Sequence, residues 1–184
     1  MEATQQLRDE HEGIKLMLRI LEAVSKKAAS GAPVPQKDLD AIAEFLSVFA
    51  DKCHHGKEEE YLFPALERVG IPRHGGPIGV MLQEHDHGRE IIARLKEAFS
   101  EYGSGDKGAG AEIAKAAGEY VALLTEHIEK ENEVLFRMAE ARIGEDEDAR
   151  LVNAFEKLEH ERIGPGRHEE FHGMLERLEK AYLA

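Results

Sequence analysis

One ten-residue pattern occurs twice in this chain, 73 residues apart. His54-His55-Gly56-Lys57-Glu58-Glu59-Glu60-Tyr61-Leu62-Phe63 and His127-Ile128-Glu129-Lys130-Glu131-Asn132-Glu133-Val134-Leu135-Phe136 both read H-x-x-K-E-x-E-x-L-F. A bare H-x-x-x-E arises by chance in a chain with ten histidines and this much acid; the shared Lys, second Glu and Leu-Phe raise the match above chance. Four residues along an α-helix advance about 6 Å and overshoot a full turn by about 40°, so the His and Glu of each copy project from one face. Each copy is a nitrogen-plus-carboxylate clip.

Two more histidines extend the repeat. Glu10-His11-Glu12 and Glu84-His85-Asp86 are offset by 74 residues, and the intervals His11 to His54 and His85 to His127 are nearly equal. Two helical hairpins of common ancestry have this layout. Folded antiparallel, they place the four histidines at one level of a shared core.

Apolar periodicity supplies the helices. Ile14, Leu18, Leu21 and Val24 mark a first helix over Leu7 to Ala29, closed by Ser30-Gly31-Ala32-Pro33. The second runs from Leu39 to Val69, with Pro64 read as a kink or partial stop. The third spans Ile78 to Tyr102 and the fourth Ala111 to Ile143, and glycine-rich connections separate them. Short connections predict an all-α, up-down-up-down four-helix bundle over residues 1–145. Residues 146–184 read as a C-terminal helical extension packed on it, broken at Gly164-Pro165-Gly166.

Ionised Glu and neutral imidazole are costly to bury unless something compensates them, and a pair of divalent cations bridged by two carboxylates does so. Cys53 is the single cysteine, which excludes a disulfide and a thiolate cage. A mixed nitrogen and oxygen donor set inside a helix bundle suits non-heme iron better than structural zinc. A net charge of -13, with no Lys/Arg-rich run, argues against nucleic acid and anionic membrane as partners. No apolar run approaches a membrane span and the charged first helix lacks a signal-peptide core, so a cytoplasmic location is expected.

Taken together, Glu10-His11, His54-His55-Gly56-Lys57-Glu58-Glu59 with Leu62-Phe63-Pro64, Glu84-His85 with Gly88-Arg89, and His127 with Lys130-Glu131-Asn132-Glu133-Val134-Leu135-Phe136 resemble the hemerythrin-like HHE cation-binding family, over roughly Leu7 to Met138. The resemblance implies a di-iron centre, two irons per chain, bridged by the motif glutamates and open to oxygen, nitric oxide or peroxide. It implies His11, His54, Glu58, His85, His127 and Glu131 as metal ligands. The oxygen-carrying hemerythrins pair two histidines one turn apart in the third helix; here Arg89 follows His85 at that spacing, and reversible oxygen carriage is not implied.

Several readings stay open on the sequence. His55 and Glu59 repeat the clip spacing one residue later, although alignment on Leu62-Phe63 favours His54 with Glu58, and His55 is either an extra ligand or a solvated side chain. His168 and His172 are spaced to clamp a metal, but His168 falls in register with the packing residues Phe171, Leu175, Leu178 and Tyr182, which favours a structural or supporting role. His74, His87 and His160 read as surface residues and Cys53 as a small core residue. In function, a binding or sensing module competes with a redox enzyme that scavenges peroxide or nitric oxide. A ferritin-like iron oxidase or storage protein needs Glu-x-x-His pairs, for which Glu84 with His87 and Glu169 with His172 are the candidates.

Overall fold

The computed structural model describes residues 1–184 as six helices without strands. They are α1 (Glu2–Ala29), α2 (residues 36–68), α3 (Pro77–Gly103), α4 (residues 109–142), α5 (Glu145–Arg162) and α6 (Arg167–Tyr182). Pro77 opens α3 in its first turn, where the missing N–H was an orphan in any case. Gly164 and Gly166, at φ +87° and +78°, take the left-handed conformation that lets the chain reverse between α5 and α6. At the start of α4 a Cβ on Gly110 would lie 2.5 Å from the Ala28 carbonyl, so only glycine lets that helix approach the end of α1.

The core explains the topology. One apolar cluster of 28 residues gathers Ile14 to Ala28 of α1, Leu39 to Ala50 of α2, Ile91 to Phe99 of α3 and Ile113 to Ile128 of α4. A second, of 15, gathers Ala3 and Leu7, Leu62 to Leu66, Ile78 and Met81, and Leu135 to Ala139. Successive helices therefore run from second cluster to first, back, and again, which is the up-down-up-down bundle. Between the two clusters lies the layer of His11, His54, Glu58, His85, His127 and Glu131, a buried polar plane sandwiched by hydrocarbon. Phe171, Leu175 and Leu178 of α6 join the first cluster, and Leu151 and Phe155 of α5 join the second. No helix is long and apolar enough to cross a membrane.

The second and fourth helices depart from α-geometry where the repeat lies. Residues Phe45–His55, Glu58–Leu62 and Glu131–Leu135 are π-helical. Phe63 N–H donates to the Glu58 carbonyl and Phe136 N–H to the Glu131 carbonyl, each five residues back, so the wider turns recur at matching positions of the two hairpins. Pro64 does not stop the helix. It falls in the first turn of the α-helical stretch Phe63–Arg68 that follows the π segment, where a missing N–H costs least.

Candidate metal centre

Seven side chains converge in the polar layer, and all are buried: His11, His54, His55, Glu58, His85, His127 and Glu131. They form two clusters whose ligand atoms lie within 4.8 Å of one another, His11–His54–Glu58–Glu131 and His55–Glu58–His85–His127, and Glu58 belongs to both. Its Oε1 lies 3.6 Å from His54 Nε2 and its Oε2 3.4 Å from His85 Nε2. Glu131 divides in the same way, with Oε2 3.2 Å from His11 Nε2 and Oε1 3.2 Å from His127 Nε2. The layer thus contains two adjacent sites with two carboxylates between them.

All five imidazoles present Nε2 to the centre, because each Nδ1 faces a partner outside it. His11 Nδ1 donates to Asn132 Oδ1 at 3.0 Å, His54 Nδ1 to Glu10 Oε2 at 2.7 Å and His85 Nδ1 to Glu59 Oε1 at 2.7 Å. His127 Nδ1 donates to Glu84 Oε2 at 2.8 Å, and His55 Nδ1 lies 3.4 Å from Asp51 Oδ1. A carboxylate or amide oxygen can only accept, so the proton sits on Nδ1 and the Nε2 lone pair points inward, the tautomer that metal-binding histidines adopt.

These outer contacts account for the rest of the repeat. Lys57 and Lys130 each clamp the glutamate that holds the clip histidine of their own copy, Glu10 and Glu84 respectively. Phe63 stacks on His85 and Phe136 on His11, with ring centroids 5.9 and 5.5 Å apart. Arg89, at the position of the second hemerythrin histidine, pairs with Asp51 and Glu59 and so fixes the carboxylates behind His55 and His85.

The chemistry of the layer calls for cations. Nε2 of His11, His54 and His55 and all four carboxylate oxygens of Glu58 and Glu131 are buried without a hydrogen-bond partner. His85 Nε2 and His127 Nε2 face each other at 3.1 Å, an arrangement of two lone pairs that repels unless a positive charge lies nearby. Donor atoms held about 2.1 Å from one ion are themselves roughly 3 to 3.5 Å apart, which is the spacing seen here. The buried carboxylates draw positive charge to the neighbouring nitrogens: burial pushes His127 down, yet Glu131 prevails and holds it at about 9. His55 goes the other way, held well below its ordinary value by burial and by the neighbouring imidazoles. The residues fit a pair of nitrogen- and oxygen-ligated cations.

The structure brings together all six residues singled out from the sequence. It adds His55, which the sequence left open, and places Glu59 behind His85 rather than among the donors. Adjacent residues of an α-helix point about 100° apart, but the π-helical stretch ending at His55 winds less tightly, and His54 and His55 both turn inward, one to each cluster. The supporting residues Glu10, Glu84, Lys57 and Lys130 stand in the repeat itself, and the paired Glu-His and Lys-Glu steps were their signal. Asp51, Glu59, Arg89 and Asn132 carry no signal of that kind. His87 is exposed beside Glu90, and His74, His160 and His172 are exposed too. Cys53 is buried and its thiol is pushed up to about 12, chiefly by burial, which leaves it an inert core residue.

A helix bundle with a buried plane of histidines and shared carboxylates defines a cation-binding protein of the all-α class. The chain belongs to the hemerythrin HHE cation binding domain family, whose profile spans residues 2–139. It is 25% identical over 162 residues to an uncharacterised protein of Mycobacterium tuberculosis, covering 88% of this chain and 63% of that one. It is 36% identical over 100 residues to the iron-sulfur cluster repair protein DnrN of Neisseria gonorrhoeae, covering 52% of this chain and 63% of that protein. The iron-sulfur cluster repair protein YtfE of an Enterobacter strain is 32% identical over 120 residues, covering 63% and 53%. The chain thus spans just over half to under two thirds of the length of these relatives. No solved structure matches it.

Proposed function

We propose that the chain is a non-heme di-iron protein that binds a small ligand, oxygen, nitric oxide or peroxide, and acts in the cytoplasm in the response to nitric oxide or oxidative stress. One observation carries the reading: two adjacent, buried donor clusters share Glu58, and Nε2 of His11, His54 and His55 and the oxygens of Glu58 and Glu131 lack hydrogen-bond partners in the protein. His11 and His54 would hold one iron and His55, His85 and His127 the other, with Glu58 and Glu131 between them. Two irons supply Lewis acidity and one-electron chemistry toward such a ligand when bound. The His11 and His54 side offers fewer nitrogens and so leaves more positions for an incoming ligand. Phe63 and Phe136 pack against the layer, and the outer carboxylates, with the Asn132 amide at His11, keep the Nε2 lone pairs aimed inward. The names of two relatives support a role connected with repair of iron-sulfur clusters. The ferritin-like alternative loses ground, because His87 and His172, which its Glu-x-x-His pairs require, point to solvent.

The test is iron analysis of protein loaded anaerobically, with visible spectra recorded under nitrogen and then after oxygen, nitric oxide and peroxide. The expected result is two irons per chain and a new band with at least one of the three ligands. One metal ion per chain, or a spectrum indifferent to all three, overturns the reading.

A further inference from the structure

The internal repeat allows the two halves of the centre to be compared with each other. In the second half, Glu84 holds His127 and is clamped by Lys130, and the contacts end there, for Lys130 is 39% exposed. In the first half, Glu10 holds His54 and is clamped by Lys57, whose side chain is only 2% exposed because α5 lies across it. Lys57 Nζ donates a second bond, of 3.1 Å, to Glu159 Oε2 on α5. The other oxygen of Glu159 lies 3.1 Å from His168 Nδ1 on α6. An unbroken line of polar contacts thus runs from the surface of the C-terminal helices, through Glu159, Lys57 and Glu10, to a histidine of the centre. Extra helices that only covered apolar surface would need Phe155, Leu158 and Phe171. They would not need a buried ammonium shared with a second carboxylate.

We propose that Glu159 and His168 are positioning residues of the metal centre, which act through Lys57 and Glu10 on the His54 imidazole and set the cation affinity of the His11/His54 subsite selectively. The physical reason lies in how the charge of Lys57 is divided. With Glu159 in place, Lys57 serves two carboxylates, and Glu10 keeps more of its charge for the Nδ1–H of His54. That makes Nε2 a stronger donor toward the centre. Without the Glu159 anion, Lys57 rests on Glu10 alone and draws its charge away from His54. His168 lies at ion-pair distance from Glu159 and, first among the causes, holds its carboxyl down at about 2, so the anion is present throughout the neutral range. Lys130 has no such second carboxylate, so the effect is confined to one subsite.

The inference rests on the reading that the two clusters hold two cations, and the experiment separates the two ideas. Cobalt(II) is titrated anaerobically into the metal-free full chain against a competing chelator, which resolves two stepwise constants. His54→Ala identifies the constant that belongs to the His11/His54 subsite. Partners that orient a metal-ligating histidine are worth about 10- to 100-fold in affinity. Glu159 acts one contact further out, so Glu159→Gln is expected to weaken that constant by about tenfold, the low end of this range, and the other by less than about twofold. Glu159→Asp, which keeps the anion, should restore most of the loss, and His168→Gln should weaken the same constant to a smaller extent. A Glu159→Gln variant with both constants unchanged, or with both weakened equally, overturns the proposal, as does a Glu159→Asp variant no better than the amide. Fewer than two cobalt ions on the wild-type chain overturns the two-cation reading instead.

Discussion

Stripping the cations from the centre should cost the protein a measurable share of its stability. A ligand bound only by the folded state adds about 2.7 kcal/mol per site when its free concentration is 100 times Kd, so two sites add about 5.4 kcal/mol. Unfolding entropy of about 2.1 cal/mol/K per residue, over 184 residues, is about 0.39 kcal/mol/K. The metal-loaded chain should therefore melt about 14 °C above the chelator-treated one. Because Glu58 belongs to both clusters, Glu58→Ala should abolish the whole increment. His54→Ala touches one cluster and should remove about half. Scanning calorimetry with anaerobic iron(II), and with magnesium as a hard cation that avoids imidazole, makes the comparison. Equal melting temperatures with and without iron(II), or an equal rise with magnesium, would refute the reasoning, as would a Glu58→Ala protein that keeps half of the increment.

Four further outcomes are expected. His55→Ala should reduce bound iron from two per chain to one, whereas Glu59→Ala should keep both and weaken binding by about 10- to 100-fold, as chelator competition would show. The ion pair of Glu159 and His168 should contribute most between about pH 4.5 and 6.5, because Glu159 is lowered from 4.5 to about 2 and His168 is raised above 6.5. The contribution of Glu159 is lost as pH falls through its folded value and that of His168 as pH rises through its own, so the melting difference between wild type and His168→Gln should be largest near pH 5.5 and shrink by pH 9; a partly exposed pair of this kind is worth about 1 kcal/mol or less. Phe171→Ala should cost about 3–5 kcal/mol in urea unfolding of the metal-free chain, since the ring is buried in the larger core cluster; a loss under about 1 kcal/mol would mean that α6 does not complete that core. Tyr120→Phe should leave stability unchanged or raise it by about 1 kcal/mol, because the buried Tyr120 hydroxyl has no hydrogen-bond partner to lose.

The sequence by itself determined the helices, their order and most of the centre. Apolar residues at helical spacing gave four bundle helices whose ends fall within five residues of those observed, because a stripe such as Ile14, Leu18 and Leu21 can be buried by one secondary structure only. The repeat at His54 and His127, with its echo at His11 and His85, placed six donors at one level, because near-equal spacings along antiparallel helices translate into equal depth. Tertiary structure decided what no local pattern encodes. Whether His55 joined His54 depended on a π-helical stretch, in which a wider turn brings two adjacent side chains to one interior. The carboxylates behind His55 and His85, Asp51 and Glu59, are held by Arg89 from another helix, and spacing within one helix says nothing of contacts across two. The burial of Lys57 against the exposure of Lys130 was decided the same way: the two lysines hold the same position in the repeat, and the packing of α5 over one of them makes the halves of the centre unequal.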